Sequence, residues 1–162
     1  MQVIGWLMAI GVITWFIHDW MDRESNPNRK PAVTATGEVV LKRSRGGHFV
    51  AGGTINGEPV QFMIDTGATH IALPKALADR LKLAPGAPVE LLTAAGPSRG
   101  YSTRLASVRL ATIEAKDVSA IVAEGMPQDV VLLGMSFLRR LEITQRNDEL
   151  IMRVPSGTRP TQ

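Results

Sequence analysis

One carboxylate stands out from the rest. In Phe62-Met63-Ile64-Asp65-Thr66-Gly67-Ala68-Thr69 an acid ends an apolar run and is followed at once by a turn-forming glycine. A charge among hydrophobic residues is expensive unless it is hydrogen-bonded, paired or kept protonated. Gly67 lets the backbone approach the carboxylate, Thr66 brings a hydroxyl beside it, and Ala68 leaves room for a substrate. Were a second acid to stand beside it, one carboxylate could be ionised and deprotonate water while the other stayed protonated and polarised a carbonyl, because adjacent like charges cannot both ionise. The other aspartates (Asp19, Asp22, Asp79, Asp117, Asp129, Asp148) are not followed by Thr-Gly or Ser-Gly. The plainer reading is an aspartate that caps a turn.

Other chemistries fit poorly. The absence of cysteine removes thiol catalysis and thiolate metal sites. His18, His48 and His70 are scattered without ligand spacing, so neither a metal nor a cofactor is expected. Gly47-His48-Phe49-Val50-Ala51-Gly52-Gly53-Thr54 has the glycine spacing of a phosphate loop, but Gly53 stands where the lysine belongs and the context is a hairpin. Gly134-Met135-Ser136 opens like a nucleophile elbow, yet Leu138 stands in place of the closing glycine, so Ser136 reads as structural. A net charge of +3 with 5% aromatic residues argues against a nucleic-acid groove.

The elements that must position Asp65 read as sheet. Val60, Phe62 and Ile64 share one face of a strand, and Asn56-Gly57 before them is a hairpin turn preceded by another apolar run. Further strands are expected at 37–43, 88–93, 101–111, 117–123 and 129–133, with a last hairpin turning at Asn147-Asp148. Two stretches read as helix. In Pro74–Leu83, Pro74 suits the first helical position and Leu73, Leu77 and Leu81 recur every four residues; Met135–Leu141 allows about two turns. The fold expected is all-β, a small closed barrel with one or two short helices.

The N-terminus differs in kind. Residues 1–17 carry no charged side chain, and Trp15 and Trp20 suit a headgroup zone. Residues 1–21 thus read as a transmembrane anchor, because no basic residues precede the run and no small-x-small site follows it, as a cleaved signal would require. A cleaved signal or a buried core helix is the alternative. Residues 22–36 are polar, with Pro and small side chains, and read as a linker; 37–154 form the domain and 155–162 a tail. Arg23, Arg29 and Lys30 after the apolar run would, by the positive-inside rule, place the domain in the cytoplasm.

With Ile64-Asp65-Thr66-Gly67-Ala68 as one element and Leu132-Leu133-Gly134 as a second, residues 37–154 resemble the retropepsin-like aspartic proteases, in particular bacterial members carried on a single membrane helix. The resemblance implies an acid-protease barrel acting as a homodimer on extended polypeptide. Asp65, with Thr66 and Gly67, would form the catalytic turn, and Thr66 would join the two turns across the dimer. Ala68, Thr69, Ala95, Gly96, Leu132, Leu133 and Gly134 would contact substrate, and Thr93–Gly100 would form a flap. It also implies a periplasmic domain on the bacterial inner membrane, against the positive-inside reading. A tethered peptide-binding barrel without turnover is the alternative function. One departure is plain: retroviral enzymes pair an arginine after the second glycine with an acid two residues after the first, and here those positions hold Met135 and Thr69.

Overall fold

The computed structural model describes residues 26–93, 96–126 and 130–155. The anchor expected at 1–21, residue Ala95 and all but the first residue of the tail lie outside them. Among the described residues no helix is long and apolar enough to cross a membrane.

Among the described residues eleven strands and two short helices follow one another: β1 (Ala32–Val33), β2 (Val39–Lys42), β3 (Val50–Ile55), β4 (Glu58–Ile64), β5 (Ile71–Pro74), α1 (Lys75–Arg80), β6 (Pro88–Thr93), β7 (Gly96–Leu110), β8 (Ile113–Ala123), β9 (Val131–Leu133), α2 (Met135–Leu138), β10 (Glu142–Arg146) and β11 (Glu149–Arg153). The larger sheet runs β3-β4-β9-β5-β8-β7-β6, and a further pairing of β3 with β7 at Thr54↔Arg109 and Ile55↔Val108 closes it into a barrel. Closure leaves β6 outside the ring, as the outer arm of a hairpin with β7. A four-stranded sheet, β1-β2-β11-β10, feeds Val39, Leu41, Leu150 and Met152 into the same core as Phe62, Leu133 and Phe137 of the barrel side.

Local chemistry explains the hairpins. Asn56 (φ 51°) and Gly57 (φ 88°) are both left-handed, the pair of conformations that turns β3 into β4 without fighting strand twist. Asn147 (φ 50°) does the same between β10 and β11, at the expected position. Gly52 and Gly53 have a packing reason. A Cβ on Gly52 would lie 2.2 Å from the Arg29 carbonyl oxygen, and one on Gly53 would lie 2.4 Å from that of Arg109 and 2.6 Å from the Phe62 ring.

The long β7–β8 hairpin changes face midway. Thr103 and Leu105 point inward, then Val108 and Leu110; opposite them run Ile113 and Ala115, then Val118, Ala120 and Val122. The alternation slips by one residue in both strands, between the pairs Leu105↔Val118 and Ser107↔Lys116, so Ala106 and Asp117 face one another at the slip. Asp117 takes φ 52° there, and its carboxylate receives Arg104 Nε at 2.6 Å and Nη2 at 2.5 Å. The hydrogen bond from Arg104 holds the Asp117 carboxyl below its ordinary value.

Three expectations need revision. Residues 26–33, given to the linker, are tied to the fold by two buried asparagines and by the pairing of Ala32–Val33 with β2. Asn26 and Asn28 are buried, Asn28 Nδ2 donates to Lys42 O (2.8 Å) and Val50 O (2.7 Å), and its Oδ1 accepts from Lys42 N (2.7 Å). This one amide clips the incoming chain to both sheets. Second, Leu73 belongs to the unanticipated strand β5, where its neighbours Ala72 and Pro74 pair with Ile121 and Ala123 of β8. Pro74 accordingly ends a strand with ψ 149° rather than opening the helix. Third, the stretch from Met135 makes about one turn, because Leu141 leads directly into β10. The remaining strand expectations hold within a few residues, apart from earlier starts for β7 and β8.

Candidate active site

Asp65 stands where β4 stops. Its amide donates to Leu133 O at 3.2 Å, extending the parallel pairing Phe62↔Val131, Met63↔Leu132, Ile64↔Leu133 by one more bond. The chain then folds tightly: Gly67 N donates to Asp65 Oδ1 at 2.9 Å, and Ala68 N to Asp65 O at 3.3 Å. A Cβ on Gly67 would sit 3.2 Å from Oδ1, so any larger residue would make the carboxylate give by a few tenths of an ångström. The carboxylate is half-buried, with Thr66, Gly67 and Thr69 exposed beside it. The expense expected of a charge among apolar residues is thus met by a backbone hydrogen bond and by access to solvent rather than by an ion pair.

The second element holds the first. Met135 N donates to Ala68 O (2.8 Å), Ser136 N to Thr69 O (2.9 Å), and the buried Ser136 Oγ accepts from Ile71 N (3.0 Å). Gly134 lies between these contacts and Leu133, and a Cβ there would come within 2.3 Å of His70 O and 2.6 Å of Ala68 O. Residues 133–136 and 65–71 are therefore in backbone contact along their length. Such closeness is available only to glycine.

Beside Asp65 the sheet offers an apolar floor. Met63 pairs with Leu132, Leu132 with Ala72, and Ala72 with Ile121, so these four side chains line one face in a row across β4, β9, β5 and β8. All four are half-buried, whereas the alternate residues Phe62, Val131, Leu133, Ile71, Leu73 and Val122 are buried in the core. One face of this sheet is filled and the other is left partly open.

The structure thus brings together Asp65, Thr66, Gly67, Ala68 and Thr69 with Leu132, Leu133 and Gly134. Gly96 belongs elsewhere, paired with Thr93 at the tip of the β6–β7 hairpin, which occupies the place expected of the flap. An open groove of about 620 Å³ lies at the base of that hairpin, between Pro88, Arg99, Tyr101 and Glu124, and none of its lining residues belongs to the Asp65 cluster. It is shallow surface, and the chemistry is better read from the aspartate turn. Among the described residues no group of His, Asp and Glu could hold a metal ion. Ser136 is structural, as its sequence context suggested, but its partner, 65 residues away, was not legible there.

A closed barrel in which an Asp-Thr-Gly turn leans on a second apolar-apolar-glycine element defines an acid-protease architecture. Comparison with known proteins agrees. Residues 51–140 match the family described as "gag-polyprotein putative aspartyl protease". A retropepsin-like aspartic protease from Rickettsia conorii is 33% identical with a TM-score of 0.59, covering 72% of this chain and 90% of that one. Two curated relatives are an uncharacterized protein in the cobV 5' region of Sinorhizobium sp, 37% identical over 120 residues, and the uncharacterized protein RP867 of Rickettsia prowazekii (strain Madrid E), 34% identical over 126 residues. The matches cover 72% and 74% of this chain and 52% of each relative, so the chain spans about half the length of the curated relatives it matches. The chain belongs to the retropepsin-like aspartic protease family.

Proposed function

We propose that this protein is an aspartic endopeptidase of the bacterial inner membrane, anchored by residues 1–21, with its barrel on the periplasmic side. It hydrolyses peptide bonds of extended polypeptide through two Asp65 carboxylates contributed by a homodimer. The observation that carries the reading is the Asp65 carboxylate itself. It is presented at the end of a barrel strand with Oδ1 held by the Gly67 amide, while no bond to Oδ2 is found among the described residues. One oxygen is fixed and the other is open to a reactant.

In this reading one Asp65 is ionised and takes a proton from water. The partner subunit's Asp65 is protonated and donates a hydrogen bond to the scissile carbonyl oxygen, and the attack of hydroxide at the carbonyl carbon gives a tetrahedral intermediate. Collapse passes a proton to the leaving amine and returns the pair to its shared-proton state. The half-open row Met63, Leu132, Ala72 and Ile121 supports an extended chain lying along the sheet with apolar side chains directed at it. Homodimerisation is supported by arithmetic: the sequence carries a single Asp-Thr-Gly.

Anchoring draws support from the sequence of residues 1–21 and acquires a geometric corollary. Packing begins by Asn26, so only residues 22–25 separate the anchor from the barrel, a reach of at most about 18 Å over the five steps from Met21 to Asn26. The barrel would ride close to the bilayer.

The test is pepstatin-sensitive cleavage of a peptide library by the full-length protein beside its Asp65→Asn variant. The amide keeps the shape of the carboxylate but cannot take up a proton from water, and each dimer loses both acids, so cleavage should vanish while the fold persists. Full cleavage by a well-folded Asp65→Asn protein would remove the reading and leave a tethered peptide-binding barrel.

A further inference from the structure

The positions that hold a charged pair in retroviral enzymes are Met135 and Thr69 here, and both side chains are exposed. The two segments are nonetheless fastened at the same place. Leu133 O receives the Asp65 amide at one end of the turn, and three residues further along the same segment Ser136 Oγ receives the Ile71 amide at the other end, with Ser136 N on Thr69 O between them. The stretch from Asp65 to Ile71 is thereby pinned at both ends onto residues 133–136. The near pin is backbone to backbone and survives most substitutions. The far pin depends on one hydroxyl, itself 8% exposed.

We propose that Ser136 is a positioning residue for Asp65, a neutral clamp that fastens the far end of the aspartate turn to residues 133–136. The proposal rests on the protease reading for the role of Asp65, and on the hydrogen bonds for the clamp. Its chemical consequence is indifference to acid. An aspartate–arginine pair dissolves as the carboxylate protonates, below the ordinary carboxylate value because the arginine favours the charged form. A serine hydroxyl accepting an amide proton has nothing to titrate, so this contact persists as the pH falls.

Three variants of the full-length protein test this: Ser136→Ala, Ser136→Thr, and Ser136→Ala combined with Met135→Arg and Thr69→Asp. Two readouts are needed, amide exchange at Gly67 and Ile71, and kcat and KM between pH 3 and 7. In Ser136→Ala the Ile71 amide loses its acceptor, so it should exchange about 10 to 100 times faster, with Gly67 following as the turn loosens. The kcat should fall about tenfold with KM little changed, because a misplaced carboxylate weakens the transition state more than substrate binding. Ser136→Thr keeps the oxygen and should restore both readouts. The triple variant should regain kcat at pH 6–7 and lose it again in acid, as its new carboxylate protonates at a value its arginine has lowered. Parental exchange at Ile71 and Gly67 in Ser136→Ala would overturn the clamp, as would a loss that Ser136→Thr fails to rescue. If Ser136→Ala does not fold, the parental readouts of Ser136→Thr and the pH-dependent recovery of the triple variant decide. Cleavage that survives Asp65→Asn is a separate failure, of the protease reading alone, and the exchange rates judge the clamp regardless.

Discussion

Gly134→Ala is the sharpest perturbation the site permits. The added methyl carbon would lie 2.3 Å from His70 O, 2.6 Å from Ala68 O and 2.7 Å from His70 C, where ordinary contact begins near 3.4 Å. The obstruction is backbone, so no rotamer change relieves it. Residues 68–70 must retreat by about 1 Å, or α2 must, and either motion strains the bonds of Met135 N to Ala68 O and Ser136 N to Thr69 O. Overpacking of this kind costs about 1–3 kcal/mol, which for a chain of this size lowers Tm by roughly 3–10 °C. The effect on turnover should be larger. An error of about 1 Å in a reacting group is worth on the order of a hundredfold in rate. Calorimetry and peptide-cleavage kinetics on matched samples measure the two effects. A Gly134→Ala protein that melts with the parent and keeps its kcat would show that the 68–70 segment yields freely, and that its contact with Gly134 does not fix the aspartate.

Further perturbations probe separate features. Asn28→Ala strips partners from Lys42 N, Lys42 O and Val50 O and should cost about 3 kcal/mol by equilibrium denaturation; an unchanged midpoint would refute the clip. Asp117→Asn tolerates the left-handed backbone but removes the charge that pairs with Arg104. Because the folded carboxyl lies below its ordinary 3.8, the stabilisation it gives is present above that pH and fades as pH falls through the lowered value. The Tm gap between parent and Asp117→Asn should therefore be visible at pH 7 and close in acid, and a gap that widens in acid would reverse the sign argued here. If two copies share the dyad, specific activity of detergent-solubilised protein should fall on dilution in step with the dimer fraction seen by sedimentation; constant activity in a monomer would sink the shared site.

What the sequence revealed was local. Asn56-Gly57 and Asn147-Asp148 mark hairpins because two or three residues fix their own backbone, and Asp65-Thr66-Gly67 announces a carboxylate turn for the same reason. The losses have a common cause in distance. Strand β5 is four residues long, pairs with β8 some fifty residues on, and its Leu73 mimics helical spacing with Leu77 and Leu81. Asn26 and Asn28 sit in a polar, proline-containing stretch that looks like tether, and only the carbonyls of Lys42 and Val50 reveal why they are buried. The slip in β8 was hidden because Asp117 in a strand looks like a solvent-facing charge until its φ is known.

That slip ties the lengths of two strands together. Since inward and outward positions exchange at Ala106 on one side and at Asp117 on the other, each strand is out of step by one residue and the two errors cancel across the hairpin. Deleting Asp117 alone would bring Ile113, Ala115, Val118, Ala120 and Val122 into one unbroken alternation while Leu105 and Val108 opposite stayed out of step, leaving Ala106 without a cross-strand partner as a one-sided bulge. Deleting Ala106 as well would put both strands back in step. In this part of the barrel residues are thus gained or lost as matched pairs, so a length change in β7 is expected to be tolerated when its counterpart occurs in β8.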